Sequence, residues 1–296
     1  MPVRIAIVGP GRVGTCFARR LRAASADVLG FVGRDVQRTR SAVAALGCGD
    51  ALDWPALARA HCVIFAVGDG ELREAVAAAA DAGGRRCSLW LHTSGRHDLA
   101  ALEPARSIGC RVGSLHPLAP FPGSVDVEPA AGAPVLVQGE ARSLSLLLRL
   151  ARMLELDPIV CSDQDRPLYH AACAIAANGA TALFDVAQRA LLAAGGLDSA
   201  SASRVTAALM QAVVEGAHRH GAARALSGPV RRGDDGTVRA HLGALVRGAS
   251  DAAGVYCELS RIALQLATDQ GLGQEAAARL TQALDEFEAR SERGGR

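Results

Sequence analysis

The sequence predicts two domains: an α/β Rossmann-like domain with a doubly wound, mostly parallel sheet, followed by an all-α domain. Three observations support this fold class. A glycine-rich turn follows the first apolar segment, short apolar segments then alternate with helical patterns, and helical patterns alone follow residue 163. With 296 residues, half of them apolar, the chain is long enough for two cores. We predict the domains at residues 1–162 and 163–296.

The first strand is predicted over residues 3–8, and the glycines that follow it form a G-x-G-x-x-G pattern. In such a pattern the first glycine permits a tight turn, the second lets a pyrophosphate approach, and the third lets helix and strand pack closely. The helix N-terminus adds unpaired N–H groups that favour a phosphate. The alternative is a strand, turn and helix without a ligand. The predicted dinucleotide site contains Gly9, Gly11, Arg12, Val13 and Gly14.

The end of the second strand, predicted over residues 28–32, is where the ribose of a dinucleotide would bind. NAD sites require an acidic residue there, but Gly33 and Arg34 follow this strand and Arg38 comes one helical turn later. A guanidinium can pair with the 2′-phosphate of NADP. Asp35 is the observation that favours NAD instead, and an exposed helix start is the alternative role of the arginines. We predict NADP as the cofactor, bound as NADPH.

Later strands bring further polar residues to the same edge of the sheet. In open α/β sheets, ligands bind beyond the carboxyl ends of the strands. Val67, Gly68 and Thr93 are predicted to contact the cofactor, whereas Ser94 and His116 are predicted to face the reacting groups. The Pro- and Gly-rich residues 120–134 predict a loop at the rim of this crevice. These strands are predicted over residues 62–67, 89–92, 111–115, 134–137 and 159–160.

The first helix of the second domain, predicted over residues 168–194, is mostly apolar but carries a stripe of short polar side chains. At about 100° per residue, the members of this stripe lie within about 80° of one another. Buried polar groups need a definite reason, which favours a stripe that lines a functional site, and the alternative is an exposed face. The stripe consists of His170, Asn178, Thr181 and Asp185.

A second feature of the helical half is the Gly- and Pro-rich segment at residues 226–236, which holds an arginine pair near a helix start. Arg232 is the candidate for binding an anion such as a substrate carboxylate. The alternative is a solvated turn in which Asp235 caps the next helix.

Composition and motif spacing argue against several other functions. The net charge is +2 and aromatic residues make up 3% of the chain, which disfavours nucleic acid as a partner. The first strand begins at once, no apolar run has the length of a membrane span, and the eight cysteines contain no C-x-x-C pair, so we expect a cytoplasmic protein.

The histidines lack metal-ligand spacing, and no G-x-S-x-G hydrolase motif is present, so we expect neither a metal site nor a hydrolase. The chain has no lysine, which removes lysine chemistry from any mechanism.

A series of short motifs along the whole chain resembles the DUF2520 family, whose members join a Rossmann-like domain to a helical DUF2520 domain. The resemblance implies a two-domain plan similar to that of ketopantoate reductases, pyrroline-5-carboxylate reductases and 6-phosphogluconate dehydrogenases, and a homodimer formed through the helical domain. The wider superfamily often pairs a lysine with an asparagine one helical turn later; Asn178 matches the asparagine, but Ala174 stands in the preceding turn. The motifs are the glycines at 9–14, HTSG at 92–95, HP at 116–117, YHAA at 169–172 with Asn178, and SGP at 227–229 with RGD at 232–234 and HL at 241–242.

Together, these observations predict an NADP-dependent oxidoreductase that reduces a small, ketopantoate-like 2-oxo acid by hydride transfer. Ser94 and Asn178 would hydrogen-bond the carbonyl oxygen, His116 or His170 would donate the proton, and Arg232 would hold the carboxylate. Two alternatives stay open: an imine reductase resembling pyrroline-5-carboxylate reductase, and a non-catalytic sensor that binds NADP(H).

Overall fold

The computed structural model describes residues 3–47, 49–83, 88–119, 121, 130–162 and 165–294, without the side chains of 291–294. The chain separates into two compact units, Met1–Ile175 and Ala176–Arg296. Most of the loop predicted at residues 120–134 lies outside the described residues. The division between the units lies one helix beyond the boundary that we drew from the sequence pattern.

The first unit is built on one eight-stranded sheet with helices on its faces. Its strands are β1 (Arg4–Val8), β2 (Asp27–Val32), β3 (Asp50–Ala51), β4 (Cys62–Phe65), β5 (Leu89–His92), β6 (Arg111–Pro117), β7 (Ala133–Gly139) and β8 (Leu156–Val160). Its helices are α1 (Arg12–Ala23), α2 (Val36–Leu46), α3 (Leu72–Asp81), α4 (Glu103–Ser107), α5 (Ala141–Met153) and α6 (Arg166–Ala174). Single 3₁₀ segments cover Pro55–Arg59, Asp69–Glu71 and Leu99–Leu102.

The strand order is β3-β2-β1-β4-β5-β6-β7-β8, and every pairing is parallel except that of β6 with β7. Val8 at the end of β1 pairs with Val32 of β2 and with Phe65 of β4, and Phe65 pairs with His92 of β5. The carboxyl ends of these four strands therefore lie side by side, as the α/β prediction requires. The predicted fold class is confirmed.

The core of this unit has two apolar layers, one on each face of the sheet. Ile5 and Ile7 of β1 belong to the layer that also contains Phe17 of α1, whereas Ala6 and Val8 belong to the opposite layer. Because both faces are covered, β1 is a nearly continuous apolar run, as is typical of parallel sheets.

The second unit is entirely helical. The helix predicted over residues 168–194 is interrupted: α6 is followed by a π-helical turn at Ile175–Gly179 before the chain continues as an α-helix. Leu242, Leu280 and Leu284 belong to the buried core of this unit. In the described part of the chain, no helix combines the length and the apolar character needed to span a membrane. The helices are α7 (Ala180–Ala194), α8 (Ser199–His220), α9 (Ala222–Ala225), α10 (Pro229–Arg232), α11 (Asp235–Gly248), α12 (Ser250–Asp269) and α13 (Gln274–Gly294).

Candidate active site

A cavity of about 540 Å³ lies at the carboxyl ends of β1, β2 and β4. Its size suits a small-molecule site. Six of the ten residues predicted to bind the cofactor line it: Gly9, Gly11, Arg34, Arg38, Val67 and Gly68.

Each of the three glycines of the turn lacks a side chain for a different structural reason. Gly9 has φ +105°, and a Cβ there would lie 2.5 Å from the carbonyl oxygen of Ala66. A Cβ on Gly14 would lie 2.2 Å from the carbonyl oxygen of Gly9, so α1 packs on the turn only without a side chain. A Cβ on Gly11 would meet nothing within 4 Å, and Gly11 lines the cavity. Gly11 is thus the glycine whose absent side chain leaves room for a ligand.

The N-terminus of α1 is open to an anion. Its N-cap is Gly11, which supplies no side-chain hydrogen bond, and its first turn contains no acidic residue. The first N–H groups of a helix have no intrahelical partner and carry a partial positive charge. With Gly11 beside the cavity, this helix end fits a pyrophosphate.

Asp35, the residue that favoured NAD, caps a helix in the structure. Its Oδ1 accepts hydrogen bonds from the backbone N–H groups of Gln37 (2.9 Å) and Arg38 (3.0 Å) at the start of α2. The preceding residue, Arg34, forms an exposed ion pair with Glu71, and both residues line the cavity. This edge therefore presents two guanidinium groups, whereas the Asp35 carboxylate is engaged by the helix backbone.

The other four predicted cofactor residues lie outside the cavity lining. Arg12 is exposed in the first turn of α1, and Val13 packs against the apolar core. Gly14 allows the close packing described above. The Thr93 hydroxyl donates to the carbonyl oxygen of Phe65 at 3.5 Å.

Trp54 and Glu71 are among the cavity residues that were not predicted to bind the cofactor. Trp54 precedes a 3₁₀ segment and lines the cavity. In the sequence, Trp54 is distinguished only by being one of the chain's two tryptophans. Aromatic rings of this kind can stack on a base.

Ser94 is held in a turn that joins the loops after β4 and β5. Its hydroxyl donates to Asp69 Oδ1 (2.6 Å) and accepts hydrogen bonds from the backbone N–H groups of Arg96 and His97 (both 3.1 Å). The single hydroxyl proton is therefore used within the protein. In this geometry the hydroxyl proton of Ser94 points to Asp69, and its role toward a substrate stays a prediction.

His116, near the end of β6, lies in a cluster of aromatic side chains. Its Nδ1 is 2.7 Å from the hydroxyl oxygen of Tyr169 on α6, and its ring meets the His170 ring edge-on with centroids 6.3 Å apart. A Cβ on Gly95 would lie 2.7 Å from His116 Nε2 and 2.9 Å from His170 Nδ1. Two of the predicted catalytic residues, His116 and His170, thus converge over Gly95 at the end of β5.

Burial lowers the pKa of His116 to about 4, and the positive potentials of His170 and Arg166 lower it further, against a small opposing effect of Asp69. His116 is therefore neutral at neutral pH. An unperturbed imidazole would titrate close to neutrality, as we expected from the sequence.

Arg166, the first residue of α6, was not predicted from the sequence. It is only 2% exposed, and its Nη2 donates to Ser114 Oγ (3.2 Å) and to Gln138 Oε1. The guanidinium carbon lies 5.7 Å from the centre of the Tyr169 ring. Among the described residues, Arg166 Nε and Nη1 have no hydrogen-bond partner, and no carboxylate forms an ion pair with this side chain. The cluster therefore contains a buried guanidinium that forms no ion pair with a carboxylate of the described residues.

The remaining predicted catalytic residues, Asn178 and Arg232, belong to the second unit. Asn178 lies in the π-helical turn and is exposed, as are Thr181 and Asp185 of the same predicted stripe. Arg232 ends α10 and is also exposed. The cap of α11 is not Asp235 but Asp234, which accepts from the N–H and hydroxyl of Thr237.

Metal binding has no support in the part of the chain that the structure describes. There, no group of three or more His, Cys, Asp or Glu side chains is arranged to hold a metal ion.

Several solved structures share this two-unit fold. A candidate NADP oxidoreductase from Bacteroides fragilis is 19% identical, with a TM-score of 0.71 over 89% of this chain and 98% of its own. An imine reductase from Pseudomonas sp. is 16% identical, with a TM-score of 0.66 over 96% and 100%. A reductive aminase from Aspergillus terreus, in complex with NADPH and ethyl levulinate, is 18% identical, with a TM-score of 0.64 over 95% and 99%. At these identities the likeness establishes the fold.

Family comparisons match both halves of the chain. A Rossmann-like domain is matched over residues 2–117, and the domain of unknown function DUF2520 over residues 133–263. No curated protein sequence matches the chain. The resemblance seen in the motifs is confirmed: in this chain a Rossmann-like domain is followed by a DUF2520 domain.

Proposed function

We propose that the protein is an NADPH-dependent reductase of a small carbonyl or imine compound. The observation that carries this proposal is the cavity at the carboxyl ends of β1, β2 and β4, with a glycine turn, an open helix N-terminus and two arginines at its edge. The similar folds of an imine reductase and of an NADPH-bound reductive aminase support it.

The residues of the cavity fit NADPH in three places. Gly11 and the N-terminus of α1 would hold the pyrophosphate, because no side chain or cap occupies that space. Arg34 and Arg38 would bind the 2′-phosphate, with Arg34 leaving its exposed pair with Glu71. The Trp54 ring would stack on the adenine. When bound, NADPH supplies the hydride.

The reacting groups are proposed to lie at the end of β5, where Gly95, His116 and His170 meet. His116 would give a proton to the substrate, and Ser94 would fix the loops that frame this edge. Asn178 would stabilise charge that develops on the substrate oxygen or nitrogen, as the family resemblance implies. Arg232 is the proposed partner of a substrate carboxylate, and a 2-oxo acid is the substrate class that uses it.

Imine reduction is the second candidate, favoured by the shared fold of the imine reductase and the reductive aminase. Both reactions need a hydride and a proton at neighbouring atoms. The test is NADPH oxidation with a panel of ketopantoate, other branched 2-oxo acids and cyclic imines such as pyrroline-5-carboxylate. Turnover of oxo acids alone supports the 2-oxo acid, turnover of imines alone supports imine reduction, and tight NADPH binding without any turnover supports a sensor.

The cofactor preference gives a quantitative prediction. NADPH is expected to bind about tenfold to hundredfold more tightly than NADH, because a charge-assisted pair with a phosphate contributes about 1.5–3 kcal/mol. Arg34→Asp is expected to remove most of this preference. Calorimetric titration of both cofactors measures it, and Glu71→Gln is the matched control, since it frees Arg34 from its ion pair and is expected to keep the preference. Equal affinities of the parent protein for the two cofactors contradict the assignment.

The second unit carries an apolar surface that supports the homodimer expected from the family resemblance. Val205, Leu209 and Val213 recur at every fourth residue of α8, and Leu209 and Val213 are each 62% exposed. Helix α7, although largely apolar, has no buried residue within the described chain. We propose that this surface, on α7 and α8, meets a second copy of the chain.

We therefore expect a dimer of the 30.5 kDa chain in light scattering after size exclusion. Leu209→Arg is expected to weaken the dimer because it places a charge in an apolar interface. Arg224→Ala, a change on the neighbouring short helix α9, is the control. A parent protein that stays monomeric at all concentrations refutes this surface as a dimer interface.

A further inference from the structure

We propose that Tyr169 and His116 form a proton relay, in which Tyr169 donates to His116 Nδ1, His116 Nε2–H delivers the proton to the substrate, and buried Arg166 stabilises the tyrosinate that remains. This inference rests on the proposed reductase function. It assigns roles to Tyr169 and Arg166, neither of which was a candidate from the sequence.

The first support is the geometry of the pair. Tyr169 Oη and His116 Nδ1 are 2.7 Å apart, and their rings meet at 83° with centroids 5.6 Å apart. If the phenol donates to Nδ1, the imidazole proton is on Nε2. That nitrogen lies over Gly95, because the position of a Gly95 Cβ is 2.7 Å from Nε2. The proton therefore sits at the end of β5, where the reacting groups are proposed to lie.

The second support is the protonation state of the pair. Burial and nearby positive groups keep His116 neutral at neutral pH. Burial and the hydrogen bond with Cys173 raise the pKa of Tyr169, so the resting phenol keeps its proton, and Arg166 is the group that opposes this shift. A neutral imidazole is a poor acid unless its other nitrogen takes up a proton as the first one leaves. Tyr169 is the hydroxyl in position to supply that proton. Because His116 is only partly buried, solvent can reprotonate Nε2 afterwards while Nδ1 returns its proton to Tyr169.

The third support is Arg166. Burying a guanidinium that has no ion-pair partner among the described residues is destabilising, so its presence calls for a reason. Its guanidinium lies 5.7 Å from the Tyr169 ring, with Nε and Nη1 unpartnered among the described residues. A negative charge on Tyr169 would be attracted by this guanidinium.

The protons and electrons of the step balance. The hydride adds to the substrate carbon, and the C=O or C=N π electrons move to the oxygen or nitrogen. That atom takes the Nε2 proton of His116, while Nδ1 takes the hydroxyl proton of Tyr169. Tyr169 keeps the electron pair as tyrosinate until Nδ1 returns its proton to it and a solvent proton restores Nε2–H of His116. NADPH, oxidised to NADP⁺, is the reductant.

The chain contains an internal control, because its second tyrosine is paired in the same way. Tyr256 Oη lies 2.9 Å from His241 Nδ1 in the second unit, with ring centroids 5.7 Å apart. His241 is exposed. Among the described residues, this second pair has no buried arginine over its tyrosine ring. Tyr256→Phe therefore removes an equivalent hydrogen bond outside the proposed relay.

The first experiment needs no substrate. In full-length protein saturated with NADPH and labelled with ¹⁵N-histidine, His116 is assigned from the signals lost in His116→Gln. We expect the neutral Nε2–H tautomer at neutral pH, with Nδ1 accepting a hydrogen bond that Tyr169→Phe removes and Tyr256→Phe does not. Arg166→Gln is expected to raise the pKa of His116, since it removes a positive charge beside it. An Nδ1–H tautomer, or a His116 signal unmoved by Tyr169→Phe, overturns the relay.

The second experiment uses any panel compound that is turned over. Tyr169→Phe is expected to lower kcat by about tenfold to hundredfold with unchanged NADPH affinity, and to reduce the solvent deuterium isotope effect because one proton fewer moves. Tyr256→Phe is expected to match the parent. A folded Tyr169→Phe protein with parental kcat and isotope effect overturns the relay. Absence of turnover throughout the panel overturns the reductase function and with it the relay's catalytic role, even where the NMR result shows the paired tautomer.

Discussion

Asn178→Ala is expected to lower NADPH-dependent turnover by about 10²–10³-fold while NADPH affinity stays nearly unchanged. That loss is the usual effect of removing one donor that stabilises charge in the transition state. Asn178 lies in a π-helical turn, a local structure that is frequent at functional sites. Its amide is exposed and makes no side-chain hydrogen bond with the described residues, so its loss removes no visible structural contact.

The matched control is Thr181→Ala, one turn later on the same helix. The Thr181 hydroxyl donates to the carbonyl oxygen of Ala177 at 3.0 Å, so it already has a partner within the helix. We expect this variant to retain parental turnover and stability. Parental turnover of Asn178→Ala would show that the amide is not part of the catalytic machinery, whereas an equal loss in both variants would indicate damage to the helix.

The sequence was sufficient to predict the sheet and its glycine turn, because both depend on local pattern. The apolar run of β1 identifies a strand covered on both faces, and Gly9 and Gly14 are required by contacts with backbone only a few residues away or on the adjacent strand. The arginines at the end of β2 also follow from the local sequence. These are the parts of the candidate site at which prediction and geometry coincide.

The two further members of the His116 cluster, Tyr169 and Arg166, could not be predicted in the same way. Tyr169 and Arg166 are 53 and 52 residues from His116 and Ser114, the residues that they contact. A periodic pattern holds no information about contacts over such distances along the chain. The π-helical turn also limited the prediction of the polar stripe. That prediction placed the side chains on one face with an angle of 100° per residue, which applies only to a regular α-helix.

Ser94 and Asp35 illustrate a different limit. Both residue types suit ligand binding, and both lie at carboxyl ends of strands. In the structure, their oxygens satisfy nearby backbone N–H groups, which short polar side chains often do in turns and at helix starts. Residue type and position alone do not distinguish a side chain that binds a ligand from one that accepts hydrogen bonds from nearby backbone N–H groups.

Acid is expected to destabilise the first unit through two buried histidines. Burial lowers the pKa of His92 to about 4, and Arg166 and His97 lower it further, although the contact with the Asp98 carbonyl and the charge of Asp69 oppose this. The pKa of His116 is also about 4. The unfolded chain binds these protons near its ordinary histidine pKa of about 6.5. Between these values the unfolded state holds more protons, so lowering the pH favours unfolding.

The expected loss of unfolding free energy between about pH 7 and about pH 5 is on the order of 2 kcal/mol for fully buried His92, and less for partly exposed His116. Urea unfolding followed by tryptophan fluorescence measures it in the right unit, because both tryptophans, Trp54 and Trp90, lie there. His92→Gln is expected to flatten the pH dependence, whereas His220→Gln, at the exposed end of α8, leaves it unchanged. Carboxyl groups contribute equally to the pH dependence of the unfolding free energy in all three proteins. The difference in slope between the parent and His92→Gln is therefore due to His92. Identical slopes in the parent and His92→Gln would show that His92 does not stay neutral in the folded protein.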